Sequence, residues 1–230
     1  MVHHHRDVQG GNARATVFGI SDGLVSNVGL ILGVAAASPN ASTVIVAGVA
    51  GLLAGAVSMA AGEYVSVKAQ AELVERELEI EKISLAEDPK KETEELTSIY
   101  VSRGLDPEQA RDLAGAVMAD PDVALEVHAR EELGVDPDSV ANPVGAAGSS
   151  FVAFGIGAIL PLLPWFFAEG SAAVVASVAI GLAAAAAVGW VLAHFTERSR
   201  LRTAGRQVLI AAVACATTYL IGSAVGVAVG

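Results

Sequence analysis

Long apolar stretches of this chain are separated by short polar ones. Five stretches of at least 23 residues carry no more than one charge each. Each stretch is long enough to cross about 30 Å of hydrocarbon as a helix. The pattern predicts an all-α membrane protein with five transmembrane helices, at residues 15–37, 43–67, 144–168, 171–193 and 207–229.

The region between the second and third apolar stretches differs sharply in charge. Residues 68–141 hold 20 acidic and 8 basic residues, a net charge of −12, whereas the rest of the chain holds 5 acids and 6 bases. We therefore expect three parts: residues 1–67, an acidic helical insert at 68–141, and residues 142–230. An isoelectric point near 4.8 argues against nucleic-acid binding, which requires a basic surface.

Proline and glycine mark the predicted helix boundaries. Neither residue occurs between Val67 and Leu85, so the second transmembrane helix should continue into the acidic region. Three Asp-Pro pairs and two glycines should bound shorter helices there. Turns are expected at 38–42 and 196–206, and a kink or helix end at the prolines of the third span. The punctuating residues are Asp88-Pro89, Gly104, Asp106-Pro107, Asp120-Pro121, Gly134, Pro161 and Pro164.

The distribution of basic residues predicts an orientation. In a five-span topology the bases at Arg6, Arg14 and Lys68 and the arginines of 198–206 fall on one side of the membrane. Basic loops remain cytoplasmic. The N-terminus and the acidic insert should therefore be cytoplasmic.

Two carboxylates lie within the apolar stretches, Asp22 and Glu63. A charge at the centre of a membrane helix costs about 3 kcal/mol on insertion scales, so such residues usually line an ion or proton path. Met59 precedes Glu63 by one helical turn, and a thioether beside carboxylates suits a transition metal. Ordinary apolar packing is the alternative role for Met59.

The acidic insert contains a candidate metal site. Glu92 and Glu95 share a helix face, as do His128 and Glu132, and Glu81 lies near the end of the long helix. Carboxylates with an imidazole suit Fe²⁺, Mn²⁺ or Zn²⁺. The alternative is a set of solvated faces, since such pairs also arise by chance in a glutamate-rich segment.

The sequence indicates no enzyme. It shows no arrangement typical of a serine or cysteine nucleophile, no phosphate-binding loop and no HExxH motif. Cys215 is the only cysteine, which excludes an intrachain disulfide. Without an ATP site, transport would be driven by a gradient.

Three separated sequence segments resemble the vacuolar iron transporter family, the yeast calcium-sensitive cross-complementer type, and the compact chain resembles a bacterial member. The resemblance covers nearly the whole chain. Its segments are Gly19-Ile20-Ser21-Asp22-Gly23-Leu24-Val25-Ser26, then Ser58-Met59 with Gly62-Glu63-Tyr64-Val65-Ser66, and Glu131-Glu132-Leu133-Gly134.

The resemblance implies a homodimer that moves Fe²⁺, and often Mn²⁺, out of the cytosol in exchange for protons, along a path at the dimer interface. Asp22 and Met59 match residues of that path. Cytoplasmic metal ligands of the family match Glu81, Glu92, Glu95, His128 and Glu132.

The chain departs from the family pattern at four positions. Ser84 replaces a glutamate, and His128 replaces a methionine. Ala15 and Gly55 stand where some plant members have a second aspartate and a second methionine. Histidine in place of methionine gives a borderline ligand set, which would widen tolerance to Mn²⁺ or Zn²⁺.

These observations predict a proton-coupled Fe²⁺ and Mn²⁺ exporter in a lipid bilayer. We expect the plasma membrane, because the sequence shows no obvious organelle address. One alternative is a membrane-anchored divalent-metal sensor or buffer without transport. Another is a Mg²⁺ channel, which Met59 and His128 disfavour because Mg²⁺ prefers oxygen ligands.

Overall fold

The computed structural model describes residues 11–38, 40–137 and 141–229, and within them every regular element is a helix. Arg6, which the orientation prediction uses, lies outside these ranges, as do His3, His4 and His5. The helices are α1 (Gly11–Ala37), α2 (Ala41–Glu87), α3 (Pro89–Ser102), α4 (Pro107–Val117), α5 (Pro121–His128), a π-helix (Ala129–Leu133), α6 (Pro143–Ile159), a 3₁₀-helix (Leu160–Phe166), α7 (Gly170–Phe195) and α8 (Arg200–Val229).

Five helical segments of the described chain are long and apolar enough to cross a membrane. They comprise α1, α2, α6 with the following 3₁₀-helix, α7 and α8. The prediction of five long apolar helices is therefore confirmed. The chain divides into two compact units, one formed by Val65–Asn142 and the other by the residues before and after it.

Two predicted turns are shorter in the structure than in the sequence analysis. The loop predicted at 196–206 is wrong beyond Ser199, because α8 already begins at Arg200. Arginine is a good helix former, and the Ser199 carbonyl accepts the Thr203 N–H at 3.0 Å. The turn predicted at 38–42 ends at Asn40, whose side-chain oxygen accepts the Thr43 N–H at 3.1 Å and caps α2.

Helix α1 lies at the centre of the first unit, in contact with α6, α7 and α8. Glycines allow this close approach, because they carry no Cβ. A Cβ on Gly23 would collide with the Phe154 carbonyl of α6, and one on Gly33 would lie 3.3 Å from the Thr218 carbonyl of α8. The backbones of these helices therefore touch with no side chain between them.

The prolines after α6 end that helix, as predicted, and polar side chains compensate for the N–H groups that proline lacks. The segment continues as a 3₁₀-helix that contains Pro161 and Pro164. Asn27 Nδ2 donates to the Ala158 carbonyl at 2.7 Å, and Ser177 Oγ donates to the Pro161 carbonyl at 2.7 Å. These two buried bonds fix the turn against α1 and α7.

The second unit contains the last part of α2 and short helices, three of which begin in the same way. Asp88, Asp106 and Asp120 each cap a helix whose first residue is proline, as the Asp-Pro pairs predicted. Its buried apolar side chains include Leu96 of α3 and Ala110 and Ala114 of α4. Gly134 ends the π-helix with a φ of 65°, a conformation that glycine adopts without a Cβ penalty.

Candidate metal centre

Four side chains from separate segments of the second unit meet at one point. Glu81 comes from α2, Glu92 from α3, His128 from the last residue of α5 and Glu132 from the π-helix. One potential ligand atom from each lies within 4.8 Å of the other three. Glu81 and Glu132 are 51 positions apart in the sequence (132 minus 81), so tertiary structure brings the cluster together.

His128 is the most buried member of the cluster, with 0% exposure. Its Nδ1 lies 2.9 Å from Oε1 of Glu132 and 3.1 Å from Oε1 of Glu81. A neutral imidazole carries one N–H, so Nδ1 can satisfy only one of the two carboxylates. Oε1 of Glu81 and Nε2 of His128 are buried without a hydrogen-bond partner.

Burial and repulsion between carboxylates raise the pKa of two members of this cluster. The pKa of Glu81 is raised, first by burial and next by the charge of Glu132, with His128 opposing the shift. The pKa of Glu132 is also raised, chiefly by burial. Three carboxylates in one partly dry site are costly when ionised, and a divalent cation would offset that cost.

Glu92 contributes a carboxylate that is almost fully buried, at 3% exposure. Among the described ion pairs, Glu92 pairs with Lys91, whose Nζ lies 3.6 Å from Glu92 Oε1 and 3.9 Å from Glu95 Oε2. The lysine side chain itself is 67% exposed, so its ion pairs are of the weak surface kind. Lys91 was not foreseen as a neighbour of the site, although its position before Glu92 is visible in the sequence.

Glu95 does not join the four meeting side chains. Its carboxylate is 49% exposed and pairs with Lys91. Its charge nevertheless contributes to raising the pKa of both Glu81 and Glu132. Of the five predicted ligands, the structure thus brings four together and leaves Glu95 at their periphery.

The π-helix determines how Glu132 reaches the cluster. His128 ends α5, and the next five residues, Ala129–Leu133, form a single π turn. The Gly134 N–H closes that turn on the Ala129 carbonyl. Such wider turns are rare and concentrate at functional sites. The sequence predicted the pairing of His128 with Glu132 by regular α-helical spacing and did not foresee the π turn.

The three residues predicted to line the membrane path lie in the first unit. Asp22 of α1 is half-buried, and Ser26 Oγ donates to its Oδ1 at 3.0 Å. Met59 packs against the cluster of Ala56, Phe154 and Ala158. Glu63 is half-buried on α2, and none of the described hydrogen bonds or ion pairs joins it to Asp22. Met59 therefore makes the apolar contacts that were its alternative role.

Comparisons with known proteins agree on one family. The sequence profile of the VIT family matches residues 13–223. Vacuolar iron transporter 1 of Arabidopsis thaliana is 30% identical over 229 residues, covering 98% of this chain and 92% of the relative. A vacuolar iron transporter of Acanthamoeba castellanii is 42% identical over 150 residues, covering 65% of this chain and 54% of the relative.

A third relative extends the similarity to another plant. Vacuolar iron transporter 1 of Oryza sativa subsp. japonica is 30% identical over 227 residues, covering 97% of this chain and 90% of the relative. The match spans the apolar helices and the acidic region alike. These relatives are named as iron transporters, which supports a role of the family in metal-ion transport. The chain belongs to the VIT family.

Proposed function

We propose that the protein is a proton-coupled transporter that exports Fe²⁺, and also Mn²⁺, from the cytosol. The observation that carries this proposal is the meeting of Glu81, Glu92, His128 and Glu132 within 4.8 Å. Three carboxylates and an imidazole suit a borderline divalent transition metal. The same donor set extends to Zn²⁺, and it is unlike the all-oxygen, water-retaining sites of Mg²⁺.

In the proposed mechanism the acidic unit captures metal on the cytoplasmic side. Its net charge of −12 raises the local cation concentration, and the buried cluster selects by geometry. A carboxylate must lose its proton to bind a metal, so metal and protons compete for the same oxygen atoms. This competition supplies the chemistry of exchange.

Asp22 is proposed to perform the same exchange within the first unit. Its half-buried carboxylate lies on a membrane helix, where a charge costs free energy, and a role in exchange explains why the residue is there. Ser26, one turn later, holds one carboxylate oxygen and leaves the other for a cation. Met59 and Glu63 on α2 complete the proposed path.

A homodimer would cover the apolar side chains of α2 and place the path between two copies. Only 17% of the apolar window of α2 is buried, against 44% for α1. Val46, Val49, Leu53 and Val57 are exposed and recur at helical spacing along one face. We propose that a second copy packs there.

The proposed location is the plasma membrane, with the N-terminus and the acidic unit cytoplasmic. The positive-inside distribution of arginine and lysine supports this orientation. The relatives are named for the vacuole. Export from the cytosol has the same direction at either membrane.

Uptake of metal by proteoliposomes tests the proposal. Purified full-length protein is reconstituted, and entry of Fe²⁺, Mn²⁺, Zn²⁺ and Mg²⁺ is followed with and without a pH gradient. Fe²⁺ and Mn²⁺ entry that is faster when the liposome lumen is more acidic than the outside supports the proposal. Stoichiometric metal binding with no entry would instead indicate the membrane-anchored sensor or buffer.

A further inference from the structure

The arginine-rich connection between α7 and α8 lines an open cavity of about 610 Å³, and none of its lining residues belongs to the proposed metal site or path. Three guanidinium groups and one carboxylate face it, which leaves a formal charge of +2 (three minus one). Serine and threonine complete the wall. Its lining residues are Glu197, Arg198, Ser199, Arg202, Thr203 and Arg206.

The arginines of this cavity lack acidic partners. Elsewhere Arg103 pairs with Glu131, and Arg130 pairs with Glu126 and Asp136. Among the ion pairs of the described residues, none involves an arginine of the cavity. Glu197 offsets one of the three positive charges that line the cavity, and a bound anion would neutralise the remaining ones.

The backbone around the cavity is held in place by tight local contacts. Glu197 adopts a left-handed conformation with a φ of 52°, and the Arg198 N–H donates to the Ala193 carbonyl at 3.1 Å, which ends α7. A Cβ on Gly189 would lie 2.6 Å from Ala204 Cα, so α7 touches the first turns of α8 directly. The arginines therefore project from a fixed frame.

The cavity lies at the level where a membrane helix would meet water. It is situated between the end of α7 and the beginning of α8, both of which qualify as membrane spans. Arg200, beside the cavity, stacks over the Trp190 ring at 5.3 Å. Tryptophan is enriched at the level of lipid headgroups, and basic pockets between membrane helices there bind phosphate-bearing lipids.

We propose that this cavity binds a phosphate group, carried by an anionic lipid headgroup or by a soluble phosphate compound. The planar fork of arginine matches phosphate oxygens in a bidentate manner. Arg202 and Arg206 lie one helical turn apart and face the same cavity as Arg198. This site is independent of the proposed metal transport.

Binding to the full-length protein in neutral detergent tests the proposal. Short-chain phosphatidic acid and inorganic phosphate are titrated separately, and bound ligand is counted by native mass spectrometry. Saturable binding is expected to weaken about 30-fold in Arg202→Gln/Arg206→Gln and about fivefold in Arg198→Gln, at about 1 kcal/mol per arginine. Arg202→Lys/Arg206→Lys keeps the charge and should bind more tightly than the glutamine pair.

Arg76→Gln/Arg111→Gln is the matched control, since it removes the same charge from exposed positions outside the cavity. Mn²⁺ affinity should be unchanged in the cavity variants and should not fall in the control, which reports that each has folded. Phosphatidic acid binding that inorganic phosphate does not displace identifies a lipid headgroup, and displacement identifies a site open to soluble phosphates. Absence of saturable binding, or an equal loss in the control, would overturn the proposal.

Discussion

Nδ1 of His128 lies 2.9 Å from Oε1 of Glu132, in a site where the imidazole is wholly buried. The single proton of a neutral imidazole leaves the second nearby carboxylate, Glu81, without a donor on Oε1. An unsatisfied buried acceptor costs about 1–3 kcal/mol. A metal ion placed among these atoms would be bound by both carboxylates and Nδ1 together, so we expect metal binding or protonation to stabilise the cluster.

Removal of one buried ligand should weaken metal binding strongly. Glu81→Gln is expected to lower the affinity for Mn²⁺ by about 10- to 100-fold, because it leaves one carboxylate fewer in a preorganised site. Isothermal titration of the full-length protein measures this change. The control is Glu79→Gln, an exposed residue on the same helix with the same change in charge. Equal affinity losses in the two variants would mean that only bulk charge matters.

Glu92 and Glu95 should differ, although both were predicted ligands. Glu92→Gln is expected to reduce Mn²⁺ affinity by at least about tenfold. Glu95→Gln should reduce it only a few-fold, because its exposed carboxylate acts through a screened field. Titrations at low and high salt separate the two effects, since only the Glu95 effect should shrink with salt. A larger loss for Glu95 than for Glu92 would contradict the four-residue site.

The pH dependence of stability follows from the raised pKa of Glu81 and of Glu132. An acid whose pKa is raised by folding holds its proton more tightly in the folded state. Its stabilising contribution is full below the ordinary pKa of 4.5 and is lost as the pH rises through the raised value. The metal-free cluster therefore weakens the fold towards neutral pH.

Mn²⁺ should consequently raise the Tm more at pH 7 than at pH 5. At the lower pH, protons already occupy the oxygen atoms for which the metal competes. Thermal unfolding with and without Mn²⁺ measures the difference, and Glu81→Gln/Glu132→Gln should abolish it. A Tm increase that is the same at both pH values would show that these carboxylates do not bind the ion.

Close backbone contact between α1 and α6 gives a test of the fold. Gly23→Ala should destabilise the protein by about 1–3 kcal/mol, because the added Cβ meets the Phe154 carbonyl. Gly155→Ala is the control on α6, where a Cβ would have no atom within 4 Å. Thermal unfolding in detergent compares the two variants. Equal stability would contradict the packing described for these helices.

Much of the fold could be predicted because its signals are local. Uncharged stretches give the five long helices, and each Asp-Pro pair marks a helix start through a cap that involves neighbours in the sequence. The start of α8 was misplaced because arginine is polar and yet favours helix, so hydropathy alone placed the boundary at Gln207. A polar residue does not by itself end a helix.

The candidate site could be predicted only in part, since it depends on tertiary contacts. Spacing identifies His128 with Glu132 and Glu92 with Glu95, but it cannot tell which side chain of a pair is buried. Tertiary packing buries Glu92, at 3% exposure, and leaves Glu95 exposed. The π turn and the ion pairs of Lys91 likewise follow from packing between segments.

The most direct test of proton-coupled export is proton flux in proteoliposomes that contain Asp22→Asn. This substitution keeps the size of the side chain and one oxygen that can accept from Ser26 Oγ, and it removes the charge. We predict that Fe²⁺-dependent proton flux falls to the level of protein-free liposomes, while Glu169→Gln, an exposed acid before α7, retains the wild-type rate. Wild-type proton flux in Asp22→Asn would contradict the proposed exchange at this carboxylate.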